Sequence, residues 1–488
     1  MAQFLDRISA GHLNGRPRPS PRILQFGGGN FLRGFIDWKI DRMNETAGTD
    51  WGIVILRSVG GREGSVLNEQ DGIYTVLSRG IGREGTAVSE PRVVGAVREE
   101  IDCQADWTRV LNLAARPQIE VILSNTTETG IVFDPVARLT DTPPASFPAK
   151  LTALLAHRWR TLGPDAPGWQ VIPCELTDRA GDTLAALVRD HARAWDLPQG
   201  FLDWLAARVP FYNTLVDRIV TGAPKADRDG IEAALGYRDP CLTTTELFHF
   251  LAIEQRTDQP DLRLRLADHD PGTVVVPDVG HLKLRKVAIL NGAHTALCPL
   301  ALLAGVPTVG AAMEMPHARH FLTRLLEREI VPFLDLPPTE TQPFALEVLR
   351  RFANPFVQHH WHDISLNAVS KIRVRNLDRM AAYQAKNHAA PPGLTLSLAA
   401  WILFYLGRFP GADNLPPRDT ADVLGVFAGL QEITDADALA RAVLGHKGLW
   451  SKPIDDPTLV AALAQDLRRL DGRLHTKPDL ASLLALAE

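Results

Sequence analysis

The sequence predicts an α/β domain followed by an all-α domain. In the first half, short aliphatic runs end in glycine-rich or polar turns, the pattern of parallel strands feeding helices. Beyond about residue 280 those runs give way to long helical periodicities. At 488 residues the chain is also too long for one hydrophobic core. The division expected is therefore 1–279 and 280–488.

The first element is the strand Arg22–Phe26, running directly into Gly27-Gly-Gly-Asn-Phe-Leu-Arg-Gly34 and then a helix over Phe35–Met43. A glycine turn between strand and helix lets the backbone approach a pyrophosphate seated on the helix N-terminus, the mark of a Rossmann-like dinucleotide-binding domain. Gly27 and Gly29 fill the first two glycine positions of that fingerprint, but Leu32 stands at the third. The next strand, Gly52–Leu56, ends at Arg57 where an acidic residue usually holds the adenine ribose. An arginine there accepts a 2′-phosphate or stacks on adenine, so both NAD and NADP stay open. Strand Ile119–Leu123 leads into Ser124-Asn-Thr-Thr-Glu-Thr-Gly130, placing hydroxyls, an amide and one carboxylate where open α/β sheets bind ligands. Val171–Glu175 repeats the strand-end pattern, and Asn213–Val220 embeds Asp217 and Arg218 in apolar surroundings, as a buried ion pair also does.

In the second half, helices are expected over His317–Ile330, Phe344–Phe352, Trp361–Arg373, Leu394–Leu406, Thr420–Ile433, Asp435–Leu444 and Pro457–Leu470, separated by proline pairs. Leu394–Leu406 is the longest apolar run and falls short of a membrane span, so it reads as a buried core helix. The segment His359-His-Trp-His-Asp363 invites a metal reading, yet only the i, i+3 pair His359 and His362 could share an ion on a helix. No metal is expected there. Lys371, Arg373, Arg375 and Arg379 form a basic cluster, either a surface or an anion site.

The chemistry concentrates in Lys286-Val-Ala-Ile-Leu-Asn-Gly-Ala-His294. On an α-helix Asn291 lies roughly 140° from Lys286 and His294 roughly 80° from it, so one cavity could take all three. Desolvation beside apolar neighbours lowers a lysine's pKa toward neutrality, an asparagine amide stabilises a developing alkoxide, and a histidine orients a hydroxyl. Together they suit moving a proton on and off a C–O group while another agent moves a hydride.

Net charge of −5 excludes a basic nucleic-acid footprint, and 45% hydrophobic with 22% charged residues is ordinary globular composition. Four cysteines without paired spacing point to reduced thiols, and the first residues hold no run suited to a signal peptide. A cytoplasmic protein acting on a small molecule, with neither a nucleic-acid nor a membrane partner, is expected.

The stretches LQFGGGNFLRGFIDWKID, QDGIYT, SNTTETG, SFPAKLT, IPCELTDRAGD, NTLVDRIVTG, KVAILNGAHTAL, PFLDLP and RFANPF occur in one order between residues 24 and 356. In them the chain resembles the long-chain polyol and sugar-acid dehydrogenases, the mannitol dehydrogenase family. The resemblance implies proton donor, carbonyl polariser and substrate orienter at Lys286, Asn291 and His294. It places a nicotinamide dinucleotide, NAD by preference, on Gly27, Gly29, Asn30, Arg33 and Thr127, and Phe31, Arg57, Asn125 and Thr126 are cofactor candidates from their places in the same turns and strand ends. It sets Glu128 and Lys371 on the substrate side, between the two domains, and Asp217 is a further substrate-side candidate.

Two positions depart from the polyol-acting members. Leu176 replaces a second oxyanion-binding amide, and Asp363 replaces an arginine eight residues before Lys371. Both agree with the branch that reduces keto-uronates to aldonates. Fructuronate–mannonate and fructose–mannitol chemistry are the enzymatic alternatives. A dinucleotide-binding regulator without catalysis is the other, opposed by the intact Lys286, Asn291 and His294.

Overall fold

The computed structural model describes residues 5–58, 64–126, 130–224, 227–475 and 478–488. The chain divides into two compact units, Met1–Gly280 and His281–Glu488.

The first unit is built on a five-stranded parallel sheet in the order Val97–Asp102, Gly52–Arg57, Pro21–Phe26, Val121–Ser124, Gln170–Pro173. Numbered along the chain, that order is 3-2-1-4-5, the arrangement of a dinucleotide-binding sheet. Its strands read as unbroken aliphatic runs because both faces are covered. Leu24, Phe26, Val54 and Leu56 pack with Phe147, Trp169 and Phe201 on one side. Ile23, Ile53, Ile55 and Leu123 pack with Phe35 and Trp38 on the other. Two three-stranded sheets complete the unit. One orders Thr273–Val276, Phe250–Glu254 and Thr214–Asp217; the other orders Ala87–Val94, Tyr74–Ile81 and Thr243–Glu246.

The helix expected over Phe35–Met43 begins earlier, at Asn30, and runs to Ala47 with a π turn over Arg33–Asp37. Within that turn Gly34 explains the unusual fingerprint. A Cβ on Gly34 would stand 2.9 Å from both Thr245 Cγ2 and Val220 Cγ1. The close approach that the third fingerprint glycine normally allows occurs two residues later, and Leu32 is free to fill the core.

The second unit is helical, as its periodicities predict. A helical run of 24 residues, Gly280–Leu303, begins at the unit boundary, and 83% of its most apolar window is buried in the protein. Pro392–Tyr405 packs against it and is apolar on every side, which suits a helix buried all round. One predicted helix is broken. Trp361–Arg373 becomes Trp361–Ile364 and Ala368–Arg375 because Asn367 adopts φ 55°, a left-handed conformation that asparagine tolerates. His359 lies in a loop before the first piece, not on a helix.

Candidate active site

The glycine turn leaves the first strand of the sheet beside the end of the fourth, where the strand order reverses. Gly27 holds φ +110°, and a Cβ there would meet Asn125 O at 2.9 Å, so only glycine permits this approach. Gly29 faces open space, with nothing within 4 Å of where its Cβ would stand. Asn30 opens the helix that follows. A left-handed turn, an open backbone face and a helix N-terminus fit the pyrophosphate of a dinucleotide.

The neighbouring side chains brace this turn. Arg33 donates from Nε to Gly28 O at 3.1 Å, from Nη1 to Cys241 O at 2.6 Å and from Nη2 to Asn30 Oδ1 at 2.7 Å. Phe31 stands against Phe35, with centroids 5.5 Å apart. Asn125 donates to Cys174 O at 2.7 Å, and the Thr126 backbone N–H donates to Glu175 Oε1 at 3.1 Å. Burial raises the Glu175 carboxyl above its usual range. Thr127 and Glu128 lie outside the described residues. Leu176 is 72% exposed.

Arg57 donates to Asp102 Oδ2 at 2.8 Å and to Gly64 O at 3.1 Å. Its charge is therefore already opposed by a carboxylate. Asp217 ends a strand opposite Phe250. The adjacent Arg218 is buried over the Trp38 ring at 4.2 Å and donates to Gly34 O at 2.6 Å and Ser78 Oγ at 2.9 Å. Burial pulls its pKa down to about 9. The embedded arginine thus binds the backbone beneath the glycine turn.

Two further groups under the turn escape a reading by spacing. Lys39 is fully buried and pairs with Asp270, with His249 Nδ1 2.8 Å away. Asp37, fully buried, accepts from Gln25 Nε2 and Tyr74 OH, both at 3.3 Å, and burial raises its carboxyl to about 7. Gln25 also donates to Gly27 O at 3.1 Å, which links this acid to the turn.

In the second unit the reactive stretch departs from the α-helix assumed for it. Lys286–Asn291 is a π turn inside the long helix, and the Gly292 N–H reaches Val287 O, five residues back. In such a turn, residues five apart stand one above the other, which removes most of the roughly 140° that α geometry puts between Lys286 and Asn291. Both residues are half-buried. His294 follows on the resumed α-helix and is buried, stacked on Phe352 and edge-on to His359 and Trp361. Burial drives its imidazole well below the ordinary value, and the fields of His359, Arg351, Arg375 and Lys371 push the same way. His294 is neutral.

The helix Ala368–Arg375 lies against this segment. Asn376 Nδ2 donates to Gly292 O at 3.2 Å, Arg375 Nη1 donates to Thr295 Oγ1 at 3.0 Å, and Lys371 Nζ donates to Ile364 O at 2.8 Å. Arg373, on another face, donates to Leu449 O. The basic cluster thus divides: Lys371 and Arg375 turn toward His294, and Arg373 turns away. His359 turns toward His294 while His362 Nε2 lies 3.3 Å from Pro416 O, so that pair serves different partners. Spacing alone did not show the parts played by Phe352, Arg351 and Arg375 around His294. The one sequence signal was the four-residue interval from Lys371 to Arg375, which a helix places on one face.

Comparison with known proteins identifies both units of the chain. The mannitol dehydrogenase Rossmann domain matches residues 21–266, and the mannitol dehydrogenase C-terminal domain matches residues 278–471. An altronate oxidoreductase of Klebsiella pneumoniae is 42% identical over 93% of this chain and 95% of its own. One of Yersinia enterocolitica is 43% identical over 93% and 94%. Among solved structures, a substrate-free D-sorbitol dehydrogenase matches with TM-score 0.80 at 21% identity, covering 98% of this chain and 100% of that one. Pseudomonas fluorescens mannitol 2-dehydrogenase, solved with NAD and D-mannitol, matches with TM-score 0.69 at 20% identity, covering 98% and 99%. The fold, the matching domains and the full-length relatives agree: this chain belongs to the mannitol dehydrogenase family and is an oxidoreductase acting on CH–OH groups.

Proposed function

We propose that the chain reduces a keto-uronate to an aldonate, tagaturonate to altronate, using NADH. The substrate is taken from the full-length relatives named altronate oxidoreductase, because oxidising altronate and reducing tagaturonate are one reaction run in opposite directions. The observation that carries the chemistry is the π turn over Lys286–Asn291. A π turn favours bringing residues five apart to one side of the helix, which supports pairing the Lys286 ammonium with the Asn291 amide beside the neutral His294.

The turn at Gly27–Gly29, with Asn30, Phe31, Arg33, Asn125, Thr126 and Thr127, holds the cofactor, and Arg57 stands on the adenosine side. When bound, the nicotinamide supplies the reducing equivalent to the ketone carbon. Asn291 donates a hydrogen bond to the carbonyl oxygen and stabilises the negative charge growing there. Lys286 protonates that oxygen and, in the reverse direction, its neutral amine takes the proton from the alcohol. His294, neutral and fixed by its stack on Phe352, orients a neighbouring hydroxyl. Lys371 meets the substrate carboxylate, with Glu128 and Asp217 on the substrate side. An ammonium and an amide together fill the electrostatic role a metal would otherwise take. The setting is the cytoplasm, consistent with Cys103, Cys174, Cys241 and Cys298 being free thiols.

The test is a spectrophotometric screen of the purified protein with both reduced nicotinamide cofactors against tagaturonate, fructuronate and fructose. Tagaturonate with NADH should give the highest kcat/KM. Faster turnover of fructuronate or fructose would assign the other family chemistry, and no turnover of any would leave a dinucleotide-binding regulator.

A further inference from the structure

The helix Ala368–Arg375 carries two cations four residues apart, Lys371 and Arg375, on one face. Both are half-buried and both act electrostatically on His294 and on Cys298, one turn further along the same helix. Each spends one hydrogen bond on the protein. Lys371 donates to Ile364 O and Arg375 to Thr295 Oγ1. An ammonium has three donors and a guanidinium five, so most remain for another acceptor.

Neither of these two groups is held in an ion pair with a carboxylate among the described residues, although the field of Asp419 favours the charged form of Lys371. Exposed arginines nearby do form such pairs, such as Arg418 with Asp363. Cys298, a buried thiol whose own pKa is raised well above its usual value by burial, is the one group whose field favours the charged form of Arg375. Burial accordingly pulls Arg375 down to about 10. The repulsion between Lys371 and Arg375 also lowers Lys371, after burial itself. Two desolvated like charges held together with no ion-pair partner, and with no carboxylate acting on Arg375, destabilise a fold, and a bound anion relieves that cost.

From this geometry we infer that Arg375 is a specificity-determining residue, forming with Lys371 a two-cation clamp for the substrate carboxylate beside His294. The planar fork of Arg375 takes the two carboxylate oxygens side on, and Lys371 adds a point charge. The clamp deepens the keto-uronate reading and rests on it. It also gives a physical meaning to Asp363. That side chain, 69% exposed and paired with Arg418, contributes no cation, so the anion-binding charge comes from Lys371 and, one helix turn beyond it, Arg375 on the following helix.

The experiment measures kcat and KM for tagaturonate, with NADH binding and Tm, in the wild type, Arg375→Met and Arg375→Lys. Arg375→Met should raise KM by roughly 100-fold, with kcat changed by less than about fivefold, as expected for losing a charged hydrogen-bonding partner in binding. Arg375→Lys keeps the charge without the fork and should raise KM by about tenfold. NADH affinity should stay at the wild-type level in both, and Tm should not fall in either, since Arg375→Met removes one of two unpaired like charges. An unchanged KM overturns the clamp, as does a fall in kcat at constant KM. Parallel loss of Tm and NADH binding in Arg375→Lys assigns Arg375 a structural role and also overturns it. Wild-type inactivity on every keto-uronate overturns the functional reading and the clamp together, whereas wild-type turnover with an unchanged KM in the variants overturns the clamp alone.

Discussion

The imidazole of His294 lies flat on the ring of Phe352, with centroids 3.9 Å apart and planes 13° from parallel. One face of the histidine is thereby sealed by carbon, and its edge is met by His359. A ring so enclosed among cations does not accept a proton in the folded state. The unfolded chain protonates the same ring below about pH 6.5, so folding stability falls as pH drops below that value. His359 and His191, also lowered by burial, add to the slope in the same sense. His294→Phe should flatten the decline of folding stability, read from urea unfolding, between about pH 7.5 and about pH 5. Parallel declines in the variant and the wild type would show that His294 titrates normally.

Lys286 and Asn291 are expected to separate binding from chemistry. Lys286→Ala should lower kcat by roughly 100-fold or more and leave NADH binding unchanged, the effect of losing a general acid–base group. Asn291→Ala should cost about 100-fold, as for one oxyanion donor. Near-full turnover of Lys286→Ala across the pH range rules out the proton-donor role.

Cofactor choice depends on the Arg57–Asp102 pair. With its charge opposed at 2.8 Å, Arg57 offers a stacking surface more than a phosphate site, so NADH should be preferred. Asp102→Asn removes the opposing charge. It should raise the NADPH-to-NADH ratio of kcat/KM by about tenfold, or ~1.4 kcal/mol. A wild-type preference for NADPH, or no change in the ratio, contradicts this assignment.

Asp37 should make the nucleotide-binding unit more stable in acid than in base. Its folded pKa of about 7 lies above the ordinary value near 3.8, so the stability it contributes is full below 3.8 and is lost as pH rises through 7. Asp37→Asn keeps an acceptor for Gln25 and Tyr74 and carries no charge. It should raise stability at pH 8 by up to roughly 4 kcal/mol and change little at pH 4. Equal effects at the two pH values would remove the charge from the explanation.

Much of this fold was legible because its signals are local. Strand runs at 22–26 and 52–56, the glycine turn after the first and the helical periodicities past residue 280 each depend on neighbours in sequence. What sequence spacing missed depends on distance. Gly34 takes the close-packing role because Thr245 and Val220 arrive from more than 180 residues away. The Lys39–Asp270 pair spans 231 positions. At the active site the residue types were readable and their angular relation was not, since 3.6-residue periodicity cannot announce a π turn. The break at Asn367 escaped notice for a similar reason: an asparagine enters the left-handed region only where tertiary contacts, here Arg418 O accepting from the Asn367 N–H at 2.8 Å, favour it.

A π turn is an α-helix that has taken in one residue more than its hydrogen-bond ladder needs. Because Lys286 precedes the surplus and His294 follows it, the angle between them is stored in the length of the chain between them, not in any side chain. Side-chain replacement at Val287, Ala288, Ile289 or Leu290 leaves that length intact. Removing any one of the four restores an ordinary ladder and swings Lys286 by about 100° around the helix axis relative to His294. The helix would still form, and its hydrophobic residues would still find a core. The chain would keep every reactive residue and lose the angle between them, so at this point the count of residues constrains the site more than the identity of the four between.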